Sequence, residues 1–391
     1  MDVLFIHNEY GKFSGEEAVV RTQIELLSKH GVKVSRYFRS STEIEEIPLG
    51  KARAFVNGIY SRRAGREVRE KIVQENPDIV HIHNLYPFIS PAVLPVIKKY
   101  NTSIVMTVHN YRLLCPNGLF YNRTGICERC TGRGKELNCI VYDCEDSFFK
   151  SAGYALRNAY ARYRRFYIDN VDAFLCLTDF QRQKLVENGY PDQKMFVIPN
   201  MFTQRLPENI SKKENSYIAF AGRISREKGI DLLLDAARLL PNVRFKLAGA
   251  VRDGYKLMNV PENVELCGIL QGEKLMHFYK NAFAFVHPSI WYEGFPMVLP
   301  EAMAYRLPVI APRIAGIPEI IEDGYNGVLF TMGIAAELAQ KIKYIWENPG
   351  KAHELGENGY QKLKKEYLPD VYYERLINVY KHLINEQKSN N

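Results

Sequence analysis

The sequence predicts an α/β architecture of two successive doubly wound parallel sheets. Two observations carry this. Short β-branched runs alternate with amphipathic segments, and the whole pattern restarts near residue 217. Continuously apolar strands separated by helices are what parallel sheets covered on both faces require. Length agrees, since 391 residues at about 150 per domain make two to three domains.

In the first half, strands are expected over 2–7, 32–38, 79–83, 104–109 and 173–177, with a helix over 16–29 and further helical patterns between. In the second half, strands are expected over 217–222, 244–248, 264–266, 282–287 and 309–311, with helices over 231–240, 274–279 and 299–305 between them. A hinge is expected at Ile198-Pro199-Asn200 and a polar linker over 207–216. The domains are then 1–200, with a cysteine-rich insert over about 115–146, and 201–370. A terminal helix over 371–391 would pack back on the first domain. Ligands of such sheets bind outside the carboxyl ends of the strands, so a cleft between the two sheets is the expected site.

Composition excludes several classes. At 46% hydrophobic and 25% charged residues, disorder and fibrous folds are out. The start lacks a basic segment and a long apolar run, so no export signal is expected. No apolar stretch reaches the length that spans a bilayer. Seven cysteines, an odd number, then point to a reducing cytoplasm rather than a disulfide scaffold. Net charge is +8, and residues 1–200 carry 28 basic against 22 acidic side chains, which favours an anionic partner for the first half.

The most informative stretch runs from His287 to Ala304. Glu293 and Glu301 stand eight residues apart, and Gly294, Phe295, Pro296 and Met297 follow the first of them in the strand-to-helix loop. Backbone amides at a helix start, aided by the helix dipole, bind anions such as a diphosphate. Glu301 is expected about two turns into the helix, where a carboxylate accepts paired hydroxyls from a sugar. Arg223 and Lys228 flank a glycine turn at another strand end, in Ala221-Gly222-Arg223-Ile-Ser-Arg-Glu-Lys228-Gly229. Two fixed cations there would offset charge on a departing diphosphate.

With these residues in place, the chain resembles the retaining nucleotide-sugar glycosyltransferases of family 4, which have the GT-B fold of two facing Rossmann-like domains. The resemblance rests on Arg223 and Lys228 followed by Glu293-x7-Glu301 and the stretch 308–318, and covers nearly the whole chain. It implies sugar transfer from a nucleoside diphosphate sugar, of UDP or GDP type, with retained anomeric configuration and no catalytic metal. By the same resemblance, Glu293 and the loop Gly294–Met297 hold the donor sugar and phosphate, and Glu301 holds the ribose. Arg223 and Lys228 hold the diphosphate, while Gly268, Ile269 and Leu270 lie beside the base. His109, which ends the run 104–109, matches a family histidine near the donor sugar. Family members carry paired glycines after the first strand. This chain has Ser14-Gly15, so only Gly15 is left for that close backbone approach. A GT-B epimerase and a non-catalytic sugar-nucleotide or glycan binder are the alternatives.

Two features lie outside this pattern. Cys127-x2-Cys130-x8-Cys139-x4-Cys144 has spacing suited to one structural zinc, with free thiols as the alternative. A zinc knuckle could bind nucleic acid, but the mild charge and the lack of an aromatic-basic motif argue against such a partner. The segment 148–167 has five basic residues, seven aromatics and no acid. Phe149, Leu156, Tyr160, Tyr163 and Tyr167 would form one stripe beside Arg157, Arg164 and Arg165, with Arg53, Arg62, Arg63, Arg66 and Arg69 upstream. Such a helix suits an anionic membrane surface, and the resemblance implies a glycan or lipid-linked acceptor, so a peripheral place on the inner face of the cell membrane is expected. A core-facing helix with solvated arginines is the alternative.

Overall fold

The computed structural model describes residues 1–11, 15–207 and 216–389. It divides into two compact units, Met1–Met201 with Pro369–Asn391, and Phe202–Leu368.

The first unit is built on a six-stranded parallel sheet. Its strands are β1 (Asp2–Glu9), β2 (Lys33–Ser40), β3 (Ile79–Ile82), β4 (Ser103–Val108), β5 (Ala173–Cys176) and β6 (Met195–Val197), in the order β2-β1-β3-β4-β5-β6. Val3, Leu4, Phe5 and Ile6 are all fully buried, so side chains on both faces of β1 are covered and no polar alternation is needed. The helices used below are α1 (Gly15–Lys29), α2 (Gly50–Ile59), α3 (Arg62–Glu75), α4 (Leu94–Lys98) and α5 (Phe148–Tyr163). A terminal helix, Pro369–Ser389, belongs to this unit and buries Tyr372, Leu376, Tyr380 and Leu383 with Val3, Phe5 and Val105. That i, i+4, i+8, i+11 spacing is one helical stripe.

The second unit repeats the plan. Strands β7 (Ile218–Ala221), β8 (Phe245–Ala248), β9 (Val264–Gly268), β10 (Ala284–Val286), β11 (Val309–Pro312) and β12 (Gly327–Phe330) pair in parallel in the order β9-β8-β7-β10-β11-β12. This is the doubly wound order whose direction reverses between the first and fourth strands, here β7 and β10. Ile230, Leu233, Leu234 and Ala237 of the helix Ile230–Arg238 pack with Phe220 and Leu247 of the sheet. Nearly all of the expected linker, residues 208–215, lies outside the described residues, as does Ser14.

Two expectations are corrected. Glu301 stands in the first turn of a short helix, Val298–Ala304, not two turns in, because the loop before it runs on to Met297. The segment 148–167 does not present one free stripe. Tyr167 and Arg157 are buried, and Arg157 lies 4.2 Å from the ring centroid of Tyr86 and 3.8 Å from that of Tyr154 while donating to the Pro116 carbonyl at 3.1 Å. The cation is held by π-faces and a carbonyl. Phe148, Phe149 and Tyr163 of α5 do stand exposed.

The zinc expectation is not supported either. Among the described residues, no group of three or more His, Cys, Asp or Glu side chains is arranged to hold a metal ion. Cys139 and Cys144 hydrogen-bond to each other, Cys130 and Cys139 pack against Ala155, and half-buried Cys127 accepts from Arg129 at 3.8 Å. Arg162 of α5 fastens the insert instead. Its Nη1 donates to the Cys130 carbonyl at 3.2 Å and to that of Gly132, and Nη2 donates to the Leu114 carbonyl at 2.9 Å. Nη1 also lies 2.8 Å from the carboxylate of Glu136, which is 2% exposed. One guanidinium thus joins carbonyls within the insert to the Leu114 carbonyl just before it, in a segment that the sequence leaves without a core of its own.

Candidate functional site

In the second unit, the loops after β7 and β10 meet at the point where strand order reverses. Gly229 makes the approach possible. Its φ is +71°, and a Cβ there would stand 1.9 Å from the Pro288 carbonyl oxygen, so any other residue would push the two loops apart. The contact brings Lys228 to Glu293, with Nζ 2.7 Å from Oε2. Ser289 Oγ donates to Oε1 at 2.6 Å, and His287 Nε2 lies 3.1 Å from the same oxygen, off the hydrogen-bond axis. Glu293 is 7% exposed. Burial alone would push its carboxyl up, but Lys228 and His287 outweigh burial and hold it well below the usual carboxylate range. The result is a fixed anion against a fixed cation.

Arg223 is half exposed and reaches Glu227 at 3.1 Å, and Arg252 reaches the same buried carboxylate at 3.2 Å. Glu227 also ties the two loops by backbone, its carbonyl accepting from Ile290 N–H at 3.0 Å. The backbone N–H groups of Gly294, Phe295 and Met297 make no hydrogen bond to described residues, and Pro296 has none to offer. Glu301 accepts from the Tyr279 hydroxyl at 2.7 Å through Oε2, and Oε1 has no hydrogen-bond partner among the described residues. Burial pushes the Glu301 carboxyl up against the Tyr279 hydrogen bond. Gly268 ends β9 at φ +67°, followed by exposed Ile269 and half-buried Leu270. The carboxyl ends of four adjacent parallel strands therefore carry Gly268, Gly249, Arg223 and His287 along one sheet edge.

The first unit has its own strand-end cavity of about 30 Å³ where order reverses between β1 and β3, lined in part by Glu16, His83, His109 and Arg112. His109 Nε2 and His83 Nδ1 are 2.7 Å apart, and the rings of His81, His83 and His109 stack in succession at 4.5 and 5.0 Å. Burial lowers the imidazoles of His81 and His109 to about 3, so both are neutral near pH 7. His7 is lowered to about 4 by burial, against the pull of Glu16. Glu16 accepts from the Tyr10 hydroxyl at 2.9 Å, and burial raises its carboxyl despite His7 and Arg112. Gly15 opens α1 and is exposed.

The structure thus brings Lys228 and Glu293 into contact and sets Arg223 one buried carboxylate away. His109 and Gly15 belong to the other unit. Reading the sequence missed Glu227, His287 and Ser289 beside Glu293, and Glu16, His83 and Arg112 around His109. The strand-end position of His83 and His287 was the available signal.

The class the fold defines is GT-B, two doubly wound α/β units, and two glycosyltransferase domain models match the chain in succession. Residues 13–202 match the model of Glycosyltransferase Family 4, and residues 202–362 match that of Glycosyl transferases group 1. An uncharacterized glycosyltransferase of Methanocaldococcus jannaschii is 31% identical over 201 residues, covering 50% of this chain and 56% of the relative. The capsular polysaccharide biosynthesis glycosyltransferase CapM of Staphylococcus aureus is 24% identical over 210 residues, covering 51% and 54%. The chain spans about half the length of these curated relatives. Among solved structures, Anabaena HepE in complex with UDP matches with a TM-score of 0.66 at 17% identity, over 98% of this chain and 100% of that one.

Proposed function

We propose that this protein transfers a sugar from a nucleoside diphosphate sugar to a glycan or lipid-linked saccharide, with retained anomeric configuration and without a catalytic metal. The observation that carries the reading is the Lys228–Glu293 pair at the order-reversal point of the second sheet. A pair this buried is costly to keep unless it is put to use, and its position is where such sheets bind nucleotides. In this reading Lys228 and Arg223 offset the charge that grows on the diphosphate as the glycosidic bond breaks. Glu293 and the amides of Gly294, Phe295 and Met297 position the donor sugar and phosphate. Glu301 offers its free Oε1 to the ribose. The backbone at Gly268–Leu270 faces the base, and the likeness to HepE, solved with UDP, favours a uridine donor. Neutral His109, in the cavity of the first unit, exchanges a hydrogen bond with a sugar hydroxyl without adding charge. Same-face attack, with the leaving phosphate taking the acceptor proton, needs no further group. The relationship to CapM supports an acceptor in surface-polysaccharide synthesis.

Attachment to an anionic membrane belongs to the same reading. Exposed Phe148, Phe149 and Tyr163 on α5 have Lys150, Arg164 and Arg165 nearby in sequence, and exposed Leu49 and Val56 at α2 have Lys51 and Arg53. Among the described residues, no helix is long and apolar enough to cross a membrane.

The test is nuclear magnetic resonance of the first-formed product in excess chelator. The expected result is transfer at an undiminished rate with the donor's anomeric configuration. Inverted product, or activity that vanishes and returns with magnesium, would overturn the mechanism.

A further inference from the structure

A groove between α3 and the α4 segment of the first unit encloses about 330 Å³, and its lining includes Arg62, Arg66, Arg69 and Lys99 but no acidic residue. The three arginines stand at i, i+4 and i+7, one face of a helix. None of the four cations has an ion-pair or side-chain hydrogen-bond partner among the described residues. The remaining basic residues of α3 are matched: Arg63 pairs with Glu67 at 2.6 Å and Lys71 with Glu75 at 2.7 Å. One face of α3 is therefore internally neutralised while the face in the groove is not. Like charges at i and i+4 repel, so an unmatched array weakens the helix unless an anion from outside completes it. Tyr60 and Tyr100 add two phenolic hydroxyls to the lining.

We propose that this groove binds a phosphate-bearing group, a phosphomonoester or a diphosphate. The chemistry selects phosphate over a single carboxylate. Three guanidinium forks and an ammonium supply many more donors and more charge than one carboxylate can use, whereas a phosphate offers three or more oxygens and close to two negative charges. The group could be carried on a lipid headgroup or on a soluble molecule. The inference stands apart from the strand-end sites, to which none of these residues belongs, while its lipid-headgroup form rests on the membrane attachment proposed above.

Two probes separate the sources: calorimetric titration with inorganic pyrophosphate, and co-sedimentation with phosphatidylcholine vesicles with or without phosphatidic acid. Each is run on the full chain and on Arg66→Gln/Arg69→Gln, whose side chains are exposed; circular dichroism checks the fold. The wild type should bind one equivalent of pyrophosphate more than the variant, or bind it at least tenfold more tightly. If the variant also loses tenfold or more in pelleting with phosphatidic acid vesicles, while Lys256→Gln, at an exposed cation of the second unit, does not, the phosphate is on a lipid headgroup. If only pyrophosphate binding falls, the ligand is soluble. Wild type and folded variant behaving alike towards both probes would overturn the proposal.

Discussion

Replacing Lys228 by Ala is expected to abolish useful sugar transfer and to weaken the second unit at the same time. Lys228 is 17% and Glu293 7% exposed at the side chain, so the variant leaves a carboxylate in a largely dry site, with Ser289 and His287 beside it but without its cation. Breaking a buried pair from one side costs about 3–5 kcal/mol. Removing a charge-stabilising donor lowers kcat about 10²–10³-fold. A double variant, Lys228→Met with Glu293→Gln, removes both charges. It should regain much of the stability lost in Lys228→Ala and none of the turnover. Urea unfolding and steady-state kinetics on the three proteins separate the two effects. A Lys228→Ala protein with near-normal kcat would remove the pair from the chemistry. Unchanged stability would mean that Glu293 finds water the present geometry denies it.

The second large effect is expected at Arg162, whose side chain is not among those lining the first unit's strand-end cavity. Arg162→Ala takes away the donors that join the carbonyls of Cys130, Gly132 and Leu114, and it leaves the Glu136 carboxylate buried without its cation. About 3–5 kcal/mol is again the expected loss, or roughly 6–20 °C in Tm for a unit of this size. Hydrogen exchange should localise the loosening to the insert over 115–146. Excess chelator should leave the wild-type Tm where it was. A chelator-sensitive Tm together with a tolerated Arg162→Ala would restore zinc as the staple.

Much of the architecture could be read from the chain because buried parallel strands announce themselves as apolar runs, and a second set of them announces a second sheet. The strands β6 and β12 escaped notice, although β10, just as short, did not. Glu293 was legible through the glycine and proline that follow it. Its partner was legible only as a cation near a turn: the sequence cannot show that Gly229 lets the Pro288 loop close in and bury Lys228. The basic segment misled for a related reason. An arginine is usually solvated, and only the folded chain shows Arg157 between two tyrosines and Arg162 inside a ring of carbonyls. Spacing suggested a metal, whereas no group of side chains among the described residues is arranged to hold one. Glu16 and Arg112 are far apart in sequence and meet only because β1 and β4 lie on either side of β3.

The central claim is that the strand ends of the second unit hold a nucleoside diphosphate. Its most direct test is calorimetric titration of the wild type and Glu301→Ala with UDP, GDP and ADP. One of these nucleotides should bind to the wild type at a single high-affinity site and raise stability by about 2.7 kcal/mol at a hundredfold excess over Kd. Glu301→Ala should keep its fold and bind that nucleotide at least tenfold more weakly. Absence of binding by all three, or equal affinity in both proteins, would contradict the account.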